Sequence, residues 1–211
     1  VEFIYKKSRQ DIEGTIIYLE NTDKNEEILI SSDDIHNFNK KDYSLEYYVN
    51  QRRVNTKIER GSIVIYNGAV WDGSLEAVFE EFTNGDKRGY VRLKEYDNSN
   101  SVNMVIVKSY RDFVVGYEDA RESRLYSIFN STDVIEFDAY SQILVKSVEG
   151  DKATLDLSSL PLLLNVAEAK DGSVIEMVVC YEKIVAKPEA IEEWGDEVHI
   201  VLNGKKHTFE K

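Results

Sequence analysis

The chain is expected to be mainly β with a few short helices, in two small modules, the second a small SH3-like or OB-like barrel. Three observations point there. Short apolar and β-branched runs recur between polar, turn-forming punctuation. Asn-Gly pairs stand at Asn67-Gly68, Asn84-Gly85 and Asn203-Gly204, and they supply the positive φ that tight hairpin turns require. Composition also breaks near residue 130: all nine arginines lie between Arg9 and Arg124, and eleven of the thirteen tyrosines lie at or before Tyr126.

In chain order, strands are expected over 14–19, 27–30, 61–66, 90–96, 102–107, 134–137, 142–148, 153–157 and 174–185. Each is a short run of Val, Ile, Leu, Thr or Tyr bounded by Gly, Asn, Asp or Ser. Three helices are expected among them. Ser74 caps a helix over 75–82 that places Leu75, Val78, Phe79 and Phe82 on one face. Pro161 suits the first turn of a helix over 162–169, and Pro188 opens a short one that runs through Trp194 and stops at Gly195. At the end of the chain, a two-residue turn at Asn203-Gly204 would pair Leu202 with Lys205, Ile200 with His207 and Val198 with Phe209. That register gathers Val198, Ile200, Leu202, His207 and Phe209 on one face.

The composition break is read as dividing the chain into a Tyr- and Arg-containing module (1–117), a polar connector (118–131) and an acidic module (132–211), the alternative being one continuous β-rich domain of uneven composition. Residues 1–130 carry 18 basic and 23 acidic side chains, net −5; residues 131–211 carry 8 and 16, net −8. In the later module, short strands broken by Glu149-Gly150-Asp151, a helical insert and Asp171-Gly172 suit a small closed barrel.

Over all 211 residues, 26 Lys+Arg face 39 Asp+Glu, a formal net charge of −13, which excludes a uniformly basic nucleic-acid binder. Hydrophobic residues at 42% suffice for a globular core, and no run approaches the ~20 apolar residues of a membrane-spanning helix. Cys180 is the single cysteine, so no intrachain disulfide or multi-cysteine metal site can form. A reducing compartment or a virion is expected rather than secretion. An opening at Val1 instead of Met leads us to expect a processed or excised start.

Chemistry is thinly represented. The hairpin register sets His199 and His207 on opposite faces, so they cannot share a metal. Asp33-Asp34-x-His36 offers ligand types close together, yet such a cluster is more simply a solvated turn. Cys180 sits inside Val178-Val179-Cys180-Tyr181, where a buried inert thiol is expected. Neither a Gly-x-Ser-x-Gly elbow nor a phosphate-binding glycine pattern occurs. Glu76 and Glu80, one helical turn apart, are expected on a solvated acidic face. No catalytic residue, metal or cofactor is assigned.

Basic and aromatic residues do interleave. Tyr47 and Tyr48 precede Arg52 and Arg53, and a strand over 88–96 would set Tyr90, Arg92, Lys94 and Tyr96 on one face, with Val91 and Leu93 on the other. Tyr and Arg are enriched at protein interfaces, and these eight residues are the candidate binding set. A non-enzymatic binding or assembly protein is therefore expected, such as a structural component of a viral or phage particle, acting through sheet surfaces on a protein partner or a second copy. Nucleic acid and membrane are not expected partners. The alternatives are a carboxylate-dependent glycan hydrolase, which needs only two suitably spaced acids, and an acidic inhibitor that imitates nucleic acid.

Overall fold

The computed structural model of the chain describes residues 2–6, 15–20, 27–85, 87–95, 101–180, 187–195, 197–202 and 204–210. It is mainly β, with one α-helix among the described residues. The chain divides into two compact units, 1–180 and 181–211. No described helix is long and apolar enough to cross a membrane.

In the first unit, β1 (Glu2–Lys6) and β2 (Thr15–Glu20) form a two-stranded antiparallel sheet. The other strands of this unit join one twelve-stranded sheet. They are β3 (Glu27–Ser31), β4 (Ile35–Asn39), β5 (Ser44–Val49), β6 (Arg52–Tyr66), β7 (Ala69–Val70) and β8 (Arg88–Lys94). After these come β9 (Val102–Asp119), β10 (Arg124–Ser127), β11 (Val134–Glu136), β12 (Gln142–Ser147), β13 (Leu162–Glu168) and β14 (Val174–Cys180). The main path runs β12–β14–β13–β9–β6–β5–β4, with β8 on the opposite edge of β9 from β6. These strands form no closed barrel.

The eighteen-residue β9 organises the unit. Its first half lies between β6 and β8, and its second half between β13 and β10. Strand alternation sends Val105, Val107, Phe113 and Val115 to the same face. The first two enter a cluster with Leu45, Tyr66, Val91 and Leu93; the last two enter another with Leu125, Leu164, Ile175 and Met177.

At the middle of β9, β6 ends and β13 takes over its edge. Asn67 fills that junction. It is 1% exposed and left-handed (φ 50°), a conformation Asn tolerates better than other non-glycine residues. Its Oδ1 accepts from the Ser109 N–H at 2.8 Å, and its Nδ2 donates to the carbonyls of Ser109 (3.1 Å) and Glu168 (2.9 Å). One side chain thus replaces the missing rungs of the ladder. Asn67 and Gly68 (φ 92°) form the expected tight turn into β7.

Helix α1 (Leu75–Thr83) forms where the apolar spacing places it, with Leu75, Val78, Phe79 and Phe82 buried in the first cluster. Ser74 caps it, its Oγ accepting from the Ala77 N–H at 3.2 Å. Ser74→Ala should cost about 1 kcal/mol in chemical unfolding; an unchanged midpoint would show the cap is replaced by water.

Several expected elements differ. Asn84-Gly85 ends α1 instead of turning a hairpin: Asn84 caps it and Gly85 takes φ 75° behind it. Where a helix was expected over 162–169, residues 162–168 form strand β13, because the segment lies between β9 and β14 and buries Leu164 and Val166 in alternation. Pairing on both edges outweighs weak helical propensity. The Leu160–Pro161 peptide is cis. Residues 153–157 do not form a strand; Leu155 and Leu157 pack against the second cluster without a ladder and end in a 3-10 turn. β6 begins nine residues before the expected 61–66, bending at Gly61 (φ 89°), where its register against β9 shifts. Residues 118–131 hold the end of β9, a turn, β10 and the start of the loop to β11, with β9 and β10 paired antiparallel.

The second unit is a three-stranded antiparallel sheet of β15 (Ala190–Trp194), β16 (Glu197–Leu202) and β17 (Lys205–Glu210). The expected register holds: Leu202 pairs with Lys205, Ile200 with His207 and Val198 with Phe209. Asn203 lies outside the described residues. Residues 190–194 are strand where a helix was expected, since pairing to β16 satisfies their backbone while their side chains stay exposed. Expected positions 14, 96 and 181–185 also lie outside the described residues.

Candidate functional site

The candidate binding residues separate into two groups. Tyr47 and Tyr48 are successive strand residues and point to opposite faces. Tyr47 is buried in the first cluster, with its hydroxyl 3.0 Å from Thr56 Oγ1; Tyr48 is exposed, edge-on to His36 at 5.7 Å. Register sets Tyr48 opposite Arg53 and Val49 opposite Arg52 at the tip of the β5–β6 hairpin. Arg53 is ion-paired with Glu46.

On β8, Tyr90, Arg92 and Lys94 share a face, while Val91 and Leu93 fill the core as expected. Both cations converge on Glu27. Arg92 binds it through Nε and Nη2 (2.5 and 2.8 Å), and Lys94, itself 3% exposed, lies 3.3 Å from it. The Arg92 hydrogen bond, reinforced by Lys94, holds the Glu27 carboxyl below its usual range. Tyr96 lies outside the described residues.

No direct signal in the chain points to what the second half of the large sheet assembles on the face opposite the core. Three rows run across it, set by strand register. In the first, buried Glu176 accepts from the Tyr110 hydroxyl at 2.6 Å and ion-pairs with Lys108 (2.7 Å) and Lys146 (3.2 Å). Burial would raise this carboxyl, but the two lysines and Tyr110 outweigh it and keep it below 4.5. Burial and the bond to Glu176 drive the Tyr110 phenol well above its ordinary range, so it remains a donor.

In the second row, Val178 pairs with Asn165 and Asn165 with Asp112. These three line a cleft of about 380 Å³ with Lys87, Arg88 and Tyr110. In the third row, Cys180 pairs with Leu163, Leu163 with Val114, and the Ile128 N–H bonds the Val114 carbonyl at 2.9 Å. Beyond it Tyr117 and Tyr126 stack with ring centres 4.5 Å apart and planes within 3°. Tyr117 and Ile128 are each 52% exposed, and neighbouring Phe129 is 83% exposed.

On the core side, Glu81 is held by Lys170 (2.6 Å), Lys87 (3.0 Å) and the Tyr66 hydroxyl. Burial and the bond to Glu81 push Tyr66 up to about 12. Glu76 is ion-paired with Lys40 at 2.6 Å. Cys180 is half-buried, and burial with nearby Asp112 raises its thiol, the opposite of an activated nucleophile. Asp33 and Asp34 belong to a 3-10 turn that Ser31 caps, and His36 lies exposed beyond it. His199 bonds Thr208 and lies 3.3 Å from Glu197. Among the described residues no group of three or more His, Cys, Asp or Glu could hold a metal.

No family model, curated protein or solved structure matches the chain.

Proposed function

We propose that this chain is a non-enzymatic binding or assembly protein whose sheet surface meets a protein partner, as a structural component of a larger complex such as a viral or phage particle. The observation that supports it is the third row: Leu163 and Val114 in register, Ile128 joined to Val114 by a backbone hydrogen bond, and the stacked pair Tyr117–Tyr126, with exposed Phe129 next in the chain to Ile128. Aromatic and aliphatic side chains grouped on an open strand face are what a buried interface core needs. A glycan hydrolase has less support, because Glu81 and Glu176, the carboxylates drawn inward, are each tied to two lysines and a tyrosine. Such ties oppose the raised pKa a general acid requires. The barrel expected of residues 132–211 has no part in this reading.

Sedimentation of the chain, together with capture from its native source, tests it against the double variant Ile128→Ser/Phe129→Ser. We expect the variant to keep its unfolding midpoint and to lose the captured partner or the self-associated species. A monomer without partner, or a partner retained undiminished by the variant, would refute the assignment.

A further inference from the structure

The 380 Å³ cleft carries an inference independent of the partner proposed for the apolar row. Its lining contains three cations and one anion, and two of the cations and the Tyr110 hydroxyl are already engaged. Lys87 is bound to Glu81, Arg111 lies between Glu168 (2.9 Å) and Asp133 (2.9 Å), and the Tyr110 hydroxyl serves Glu176. Three polar side chains remain. Among the described residues no hydrogen bond or ion pair involves the side chains of Arg88, Asp112 or Asn165.

Their arrangement follows from register. Arg88 is opposite Tyr110, and Asp112 is two residues further along the same strand face, opposite Asn165. Arg88 and Asp112 are thus diagonal neighbours, with Cβ atoms roughly 7 Å apart by sheet geometry. No ion pair joins them, and the gap between them belongs to the cleft that both line. A small molecule bearing both charges would fill that gap. A plain anion would face Asp112, and a plain cation would face Arg88; each would gain one contact against one repulsion. Asn165 can donate to a carboxylate or accept from an ammonium, and Val178 offers an apolar wall for the carbon between them.

We propose that this cleft binds a small zwitterion of the amino-acid or dipeptide class, its carboxylate on Arg88 and its ammonium on Asp112. The volume lies in the range usual for small-molecule sites.

Isothermal titration of the full chain with L-alanine, L-leucine and alanyl-alanine tests this, with acetate and ethylammonium as single-charge probes. We expect saturable binding of at least one zwitterion and none of the single-charge probes. Arg88→Gln and Asp112→Asn should each weaken binding about tenfold or more, the loss of one charge-assisted contact, at an unchanged unfolding midpoint. Acetate binding as tightly as the zwitterions, affinity indifferent to either substitution, or no saturable binding of any zwitterion would overturn it. Arg88→Lys, which keeps the charge, should retain more affinity than Arg88→Gln; the reverse order also counts against it.

Discussion

Replacing Asn67 with alanine should lower the free energy of unfolding by about 3–5 kcal/mol. The change removes three hydrogen bonds: two buried ones, with Ser109 N–H and Ser109 C=O, and a partly buried one with Glu168 C=O. Each lost bond costs about 1 kcal/mol, more where a buried backbone group is left with no partner. Alanine would also have to hold φ near +50°, a further cost of about 1 kcal/mol. Asn67→Gly separates the two effects: it relieves the backbone but restores no bond, so it should recover only about 1 kcal/mol. Urea unfolding of the three proteins gives the ranking, and hydrogen exchange gives the site. The Ser109 amide should exchange faster in both variants. An alanine variant within 1 kcal/mol of the parent, with the Ser109 amide still protected, would mean that β6 and β13 are joined without this side chain.

Removing the Glu176 carboxylate is the second large effect, at about 3–5 kcal/mol for Glu176→Ala. Most of that penalty comes from what is left behind. Lys108, mostly buried, would have lost its counter-ion, and the Tyr110 hydroxyl its acceptor. Lys146 is more exposed and should contribute less because water screens it. Glu176→Gln keeps an acceptor for Tyr110 and should be milder. The pH dependence has a definite sign. The folded Glu176 carboxyl lies below its ordinary 4.5, so its contribution is present above about pH 4.5 and disappears as the pH falls through the folded value. The acid limb of the stability curve should therefore be shallower in Glu176→Ala than in the parent. Parallel limbs would show that this carboxylate is not linked to folding.

The two effects fall on residues with different legibility. Asn67 was readable as a turn former, because Asn-Gly supplies two positive φ values in the chain itself. Its bridging of β9 to Glu168, 101 residues away, was not readable, since nothing local specifies that contact. Glu176 looked like one of 39 acids. Only the parallel pairing of β12 with β14, and the arrival of β9 alongside β13, brings Lys108, Tyr110 and Lys146 to it.

What the sequence alone determined is what local chemistry determines. The Ser74 cap and the spacing of Leu75, Val78, Phe79 and Phe82 gave α1, because a helix satisfies its own hydrogen bonds and needs only one apolar stripe. Alternation gave Val91 and Leu93 inside with Tyr90 and Arg92 on the opposite face, and the terminal hairpin's register followed from its turn. Tertiary structure decided the rest. Residues 162–168 and 190–194 could have begun helices after their prolines; neighbouring strands made them sheet, since a strand's hydrogen bonds belong to its partners. For the same reason the cleft of Arg88, Asp112 and Asn165 appears only after assembly: it draws on β8, β9 and β13, whose pairing and register no local signal in the chain specifies.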